Sequence, residues 1–278
     1  MVAPPIDRTI ERMSSPTPLT SSDLVTLQVD GGIARLTLNR PEALNALSLE
    51  TAERFAAQCD AIERDARVRV VVLRGAGKAF GVGGDVSALT GADADFIAKL
   101  IDAMHRGVRV LARIDAPVIA GLHGAVAGGS LSLAAACDLA IAAEGTRFNL
   151  AYTNLGANCD VGGSWSLPRL IGMRRAMQVA LLSDTFDAAE ALRIGLINQV
   201  VPADQLDAAV DALAQRLAQG PTLAYGRMKR LIRQSFDNDL ATQLDAERDN
   251  FKASSHTEDF AEGTAAFMAK RKPRFKGR

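Results

Sequence analysis

An α/β core with crossover connections, followed by a helical C-terminal region, is the architecture this sequence predicts. Three observations carry it. Over the first part of the chain, β-rich apolar runs alternate with stretches of helical periodicity; a glycine turn joins the first two runs; and strand signals fade after about residue 165.

The elements follow in order. Leu24 to Val29 and Ile33 to Leu38 flank Asp30-Gly31-Gly32, a hairpin signal. Ser48 is placed to cap a helix whose apolar positions Ala52, Phe55, Ala56 and Ile62 recur at helical spacing, and Val68 to Leu73 then has the composition of a buried strand. A helix over about 93–113 precedes a strand at Pro117 to Leu122. Later helical patterns occupy 187–193, 203–218, 222–235 and 239–253. The expected organisation is a disordered leader over 1–22, an α/β core over 23–200 and a C-terminal helical region over 201–278.

Composition sets the class. With 278 residues, 48% of them apolar, the chain can bury a substantial core. Its 32 basic and 32 acidic residues cancel, so no overall field draws nucleic acid or an anionic membrane. Cys59, Cys137 and Cys159 are odd in number and far apart, which fits reduced thiols in a cytoplasmic protein, and no C-x-x-C pair supports a metal site. Residues 1–22 are rich in Pro, Ser and Thr and carry charges where a secretory signal needs an apolar segment. The longest apolar stretches, such as Leu131 to Ile141, are too short or too interrupted to cross a bilayer, so no membrane anchor is expected.

Two glycine turns carry the chemistry. Phe80-Gly81-Val82-Gly83-Gly84-Asp85 and Ala127-Gly128-Gly129-Ser130 each arrive just after a buried-strand signal. Lacking a Cβ, glycine lets the backbone turn sharply and approach a ligand, and two backbone N–H groups facing one point make an oxyanion site. Nucleotide motifs are not met: Gly75-x-Gly77 is followed by Phe80 where a dinucleotide fingerprint needs its third glycine, and Gly77-Lys78 by Ala79 where a phosphate loop needs Ser or Thr.

With Leu38-Asn39-Arg40-Pro41-Glu42-Ala43-Leu44-Asn45-Ala46-Leu47, Gly172-Met173-Arg174-Arg175-Ala176 and the run from Ala188 to Leu196, these turns resemble the motifs of the crotonase, or enoyl-CoA hydratase/isomerase, family from about residue 23 onward. The resemblance implies a spiral of repeated β-β-α units, C-terminal helices that pack homotrimers or dimers of trimers, and an acyl-CoA substrate. It implies no metal or redox cofactor, coenzyme A entering only as part of the substrate. Carried over residue by residue, the oxyanion donors fall on the N–H groups of Gly84 and Gly129. The two glutamates that position water in hydratases fall on Ser132 and Tyr152, neither of which can act as a carboxylate base, so hydration by the usual route is not expected, and the alternative of an enoyl-CoA hydratase requires another group to activate water.

Asp160, in Gly156-Ala157-Asn158-Cys159-Asp160-Val161-Gly162-Gly163, lies in the loop that lines the acyl pocket in the family. The stretch resembles family isomerases that place a single Asp there, including the ring-epoxide isomerase of phenylacetate breakdown, and it favours an isomerase with Asp160 as proton shuttle. The other use of such an Asp is as an N-cap for the helix near Trp165. A dehalogenase-like reaction, with Asp160 as nucleophile and His105 assisting, resembles another relative but lacks its Trp, Tyr152 standing there. His105 is either a group of that site or a filler of its helix face.

For the coenzyme, the resemblance points to Arg40 and Lys78 near the phosphates, to main-chain groups of Ala43, Leu44, Val82, Gly83 and Val86 along the adenine and pantetheine, and to Tyr152 beside the acyl group. The basic run from Lys270 to Arg278 either joins the phosphate contacts or is a solvated tail. That tail is also the sole support for a non-catalytic homologue that binds acyl-CoA or RNA; one Trp, two Tyr and the lack of an RNA-module motif leave nucleic acid an unexpected partner.

Overall fold

Gly31 and Gly32 take φ of +55° and +80°, a two-residue turn that joins β1 (Val25–Asp30) to β2 (Ile33–Leu38) antiparallel, with Asp30 opposite Ile33. The computed structural model describes residues 23–278; the predicted leader over 1–22 lies outside them. Ser48 accepts the Thr51 N–H at 3.2 Å and starts α1 (Leu49–Arg64) as predicted. The next strand, β3 (Val70–Gly75), begins two residues later than its apolar run, because Val68 N–H is turned back onto Asp65 O.

After β3 come a short helix, α2 (Val86–Leu89), and α3 (Ala94–Arg113), capped by Asp93, which accepts the Phe96 N–H at 2.7 Å. The chain continues through β4 (Val118–Leu122), β5 (Ala125–Ala127), α4 (Gly128–Ala136), β6 (Leu139–Ala143), β7 (Arg147–Asn149) and α5 (Gly163–Leu182). Then follow β8 (Phe186–Asp187), α6 (Ala188–Arg193), β9 (Gln199–Val201) and four helices, α7 (Leu206–Ala218), α8 (Thr222–Gln234), α9 (Leu240–Ser255) and α10 (Glu258–Met268).

Six strands form one sheet in the order β1-β2-β3-β4-β6-β9, parallel from β2 onward, and β5-β7-β8 form a smaller second sheet. A single parallel bridge from Gly81 to Val126 extends the smaller sheet. Each turn of the spiral thus gives one strand to the large sheet and one short segment to the small one: β3 with Gly81, β4 with β5, β6 with β7. A helical segment follows each pair. The two glycine turns are the places where the chain leaves the small sheet.

β3 shows why its sequence is apolar throughout. Val71 and Leu73 enter the main core with α1 and α3, while Val70 and Val72 face α7 through Val210 and Ala214. A parallel strand covered on both faces has no polar side to show. The strands β8 and β9 lie beyond the point where strand signals fade; two or three residues are too few to display a period. Helix α5 is two helical pieces meeting at Gly172, whose φ of +74° would strain any other residue.

Helix α8 is fastened to the core by buried charge. Lys229 Nζ donates to Asp138 Oδ2 at 2.8 Å and to the carbonyls of Leu111 and Ala116, and Arg233 donates to Asp138 Oδ1 at 2.8 Å. Burial pushes the Lys229 ammonium pKa down, with the Asp138 carboxylate pulling against it. The opposite face of the C-terminal helices leaves Met228, Ile232, Phe236, Phe251 and Phe267 exposed. Burial also raises the pKa of the Cys59 thiol and takes that of Cys137 to about 12, so neither is a ready thiolate at neutral pH. No helix among the described residues is long and apolar enough to cross a membrane.

Candidate active site

The two glycine turns touch. Gly83 has φ of +89°, and a Cβ built on it would lie 2.9 Å from Gly129 N and 3.1 Å from Ala127 O, so only glycine fits between the turns. Fully buried Ser130 joins them from the other side, its Oγ accepting the Gly83 N–H at 3.1 Å. The Leu47 N–H donates to Gly83 O at 2.7 Å and the Asp85 N–H to Leu47 O at 3.1 Å, which pins the backbone on both sides of Gly84.

Asn45 anchors this wall. Completely buried, it donates to the carbonyls of Ala76 at 2.9 Å and Ala79 at 2.8 Å and accepts the Arg40 N–H, tying the first motif to the strand end before the turn. Within this framework the N–H groups of Gly84 and Gly129 have no acceptor among the described residues. Gly129 sits in the first turn of α4, whose N-cap Ala127 offers no side-chain acceptor, so its N–H lies at the positive end of a helix. Both glycines line one cavity of about 640 Å³.

The opposite wall is the segment between β7 and α5. Two non-glycine residues there are left-handed, Ala151 at φ +55° and Val161 at φ +52°. Such conformations cost about 1–3 kcal/mol each and persist where the surroundings hold them. Ala151 precedes Tyr152 and Val161 follows Asp160. The Tyr152 hydroxyl donates to Asp160 Oδ1 and lies 3.2 Å from the hydroxyl of buried Ser132. Burial, then the Asp160 charge, pushes the Tyr152 phenol far above its ordinary pKa, so it remains a donor.

Asp160 is not the cap of α5. That helix is capped at Gly162 without a side-chain acceptor, and the Asp160 carboxylate turns toward Tyr152 instead. Its Oδ1 lies 3.6 Å from the position a Cβ would take on Gly129, so the carboxylate stands beside the Gly128–Gly129 turn. Among the described residues it is the single carboxylate in the cavity wall, which is otherwise made largely by apolar side chains such as Leu100, Ile101 and Met104 of α3.

Other expected site residues fall in different places. Val82, Val86 and Tyr152 line the cavity, with Gly83 immediately behind it; Arg40, Ala43, Leu44 and Lys78 are not among its walls. Arg40 donates to Asp85 Oδ2 at 2.6 Å; the Ser87 hydroxyl first, and then Arg40, hold the Asp85 carboxyl down at about 2. The basic tail folds back on α10, where Arg271 pairs with Glu262 and Arg278 with Glu258. His105 does not enter the Asp160 cavity. Its Nε2 accepts the Val161 N–H at 3.2 Å, and its ring lines a neighbouring cavity of about 680 Å³ with Arg109 and Trp165.

Sequence reasoning passed over Asn45 and Ser130, although both lie inside its motifs. The available signal was a polar residue set among apolar neighbours: Asn45 between Leu44 and Ala46, and Ser130 before Leu131.

The enoyl-CoA hydratase/isomerase family model matches residues 28–278. The chain is 38% identical over 260 residues to the 1,2-epoxyphenylacetyl-CoA isomerase of Escherichia coli, an alignment covering 92% of this chain and 99% of that one. It is 34% identical to the trans-2-decenoyl-[acyl-carrier-protein] isomerase of Streptococcus mutans, covering 90% and 97%. Among solved structures, the enoyl-CoA hydratase of Bacillus anthracis superposes with a TM-score of 0.87 at 32% identity, covering 92% of this chain and all of that one. The chain belongs to the enoyl-CoA hydratase/isomerase family.

Proposed function

We propose that the protein is an acyl-CoA isomerase that moves a double bond with Asp160 as its one proton carrier. The observation that carries this reading is Asp160 as the one carboxylate among the described residues lining the cavity, beside the Gly129 turn; the family resemblance, which assigns Ser132 and Tyr152 to the two glutamate positions of hydratases, supports it. The thioester carbonyl oxygen accepts from the N–H groups of Gly84 and Gly129. Asp160 takes a proton from C2 of a 3-enoyl thioester, and the C–H electron pair moves into the C1–C2 bond as charge collects on the oxygen. When the charge returns, the double bond shifts to C2–C3 and Asp160 delivers its proton to C4. One proton leaves and one arrives, so neither water nor an electron acceptor is consumed. Donors aimed at the developing oxyanion are each worth roughly 10²–10³ in rate.

Val82, Val86 and Tyr152 flank the bound acyl and pantetheine groups in this reading, and Arg40, Ala43, Leu44 and Lys78 are assigned to the coenzyme's far end. Two relatives are named as isomerases, which supports an isomerase over a hydratase. A homotrimer, or a pair of trimers, fits the exposed apolar side chains of α8 to α10, and light scattering on the purified protein measures it.

The test is to supply 3-enoyl-CoA and 2-enoyl-CoA separately and follow both isomerisation and hydration. Isomerisation without hydration is expected, falling about 10²–10⁴-fold in Asp160→Asn, the range of a positioned acid–base group. Hydration that persists unchanged in that variant overturns the reading.

A further inference from the structure

We infer that His105 is a positioning residue: from behind the cavity wall it accepts the Val161 N–H and so holds the backbone that carries Asp160. The inference rests on Asp160 being the proton carrier. Val161 is β-branched, buried and left-handed at φ +52°, a combination that needs support from its surroundings. Its side chain is part of the Asp160 cavity wall, whereas its N–H points the other way, to His105 Nε2 at 3.2 Å. A backbone N–H can only donate, so Nε2 carries no proton in this arrangement.

The loop is therefore gripped at two points one residue apart. Tyr152 holds the Asp160 side chain through Oδ1, and His105 holds the peptide that follows it. His105 comes from α3, the helix that also supplies Leu100, Ile101 and Met104 to the cavity, so the contact fixes Asp160 relative to the surface against which an acyl group would lie. Without an acceptor at His105, the left-handed turn at Val161 keeps only the local hydrogen bond from the Gly163 N–H to Asp160 O, which moves with the loop and does not tie it to α3, and the carboxylate is free to drift from the carbon it serves. A displacement near 1 Å in such a group can cost about 100-fold in rate.

Three measurements test this. In His105→Phe, which keeps a ring and removes the acceptor, kcat should fall about 10–100-fold while KM stays within about 3-fold, since substrate contacts are untouched. His105→Gln, whose side-chain oxygen can accept the same N–H, should recover most of the loss. Hydrogen exchange at the Val161 amide should accelerate in the Phe variant and stay slow in the Gln variant. In the unsubstituted protein, nitrogen NMR of His105 should show Nε2 unprotonated, a readout independent of whether any variant folds. A Phe variant with unchanged kcat, a Gln variant as impaired as Phe, or a protonated Nε2 would each overturn the inference. If Asp160→Asn keeps full activity while the Val161 amide still responds to His105, the assigned proton carrier is wrong and the loop contact stands.

Discussion

The two walls of the cavity are built differently. The glycine wall, residues 81–85 and 127–130, is held by backbone hydrogen bonds, by a Cβ-free contact at Gly83 and by two fully buried polar side chains, Asn45 and Ser130. The loop wall, residues 151–161, is held by short-range backbone turns of its own and by side-chain contacts from Tyr152, Thr153 and His105, and it contains two left-handed residues. In the proposed reaction, charge stabilisation is thus assigned to the scaffold, whereas the proposed proton carrier Asp160 sits on a segment built mainly from local contacts. Such a division lets one fold serve several reactions.

Substitutions sharpen this contrast by separating turnover from stability. Asp160→Asn should give the largest effect, the 10²–10⁴-fold loss of isomerisation stated above, with a melting temperature close to that of the unsubstituted protein. A large drop in melting temperature would show that the loop is part of the scaffold after all.

Gly83→Ala strikes the other wall. Its methyl group would meet backbone atoms at 2.9–3.1 Å and its φ is +89°, so a stability loss of about 1–3 kcal/mol is expected together with weakened turnover. Thermal unfolding and kcat should fall together here, unlike at Asp160.

Tyr152→Phe removes the hydroxyl that orients Asp160. Hydrogen bonds to charged groups contribute about 1.5–3 kcal/mol, so kcat should drop about tenfold or somewhat more with KM little changed. An equal fall in kcat/KM arising wholly from KM would mean that Tyr152 acts through its contact with substrate alone and does not orient Asp160.

The smallest effect concerns Asp85. Its folded pKa of about 2 lies below the ordinary 3.8, so its ionised form adds stability that is complete above about pH 4 and fades as pH falls toward 2. Asp85→Asn should flatten that part of the acid-unfolding curve, measured by circular dichroism, and lower the melting temperature slightly at pH 7. An unchanged acid limb would mean that the Arg40–Asp85 pair does not brace the turn.

Much of the scaffold was legible because its signals are local. The hairpin glycines, the Ser48 cap and the apolar face of α3 each announce themselves within a few residues. The strands β8 and β9 were not legible, since so few residues carry no periodicity, and the helix α10 was overlooked despite its Thr257 cap, which accepts the Phe260 N–H at 3.1 Å. In the site, motif resemblance led to Gly84, Gly129 and Asp160, and the structure puts all three around one cavity. The direction of His105 was beyond such reasoning. A helix periodicity says which residues share a face, but not whether a ring nitrogen meets a substrate or the reverse side of a loop. Asn45 and Ser130 were hidden for a related reason: their partners lie about 31 to 47 positions away in sequence, and only folding brings them together.

Helix α8 follows a different logic from either wall, and Asp138 decides how it can come apart. That carboxylate satisfies Lys229, Arg233 and the Val118 N–H at once. Peeling the helix away would strand a charge in the interior, a penalty of about 3–5 kcal/mol when one partner of a buried pair is removed. Detachment of this segment ahead of the rest is therefore disfavoured, and the same anchoring keeps the exposed Met228, Ile232 and Phe236 together as one ridge on the outer face of α8 and the residues just after it.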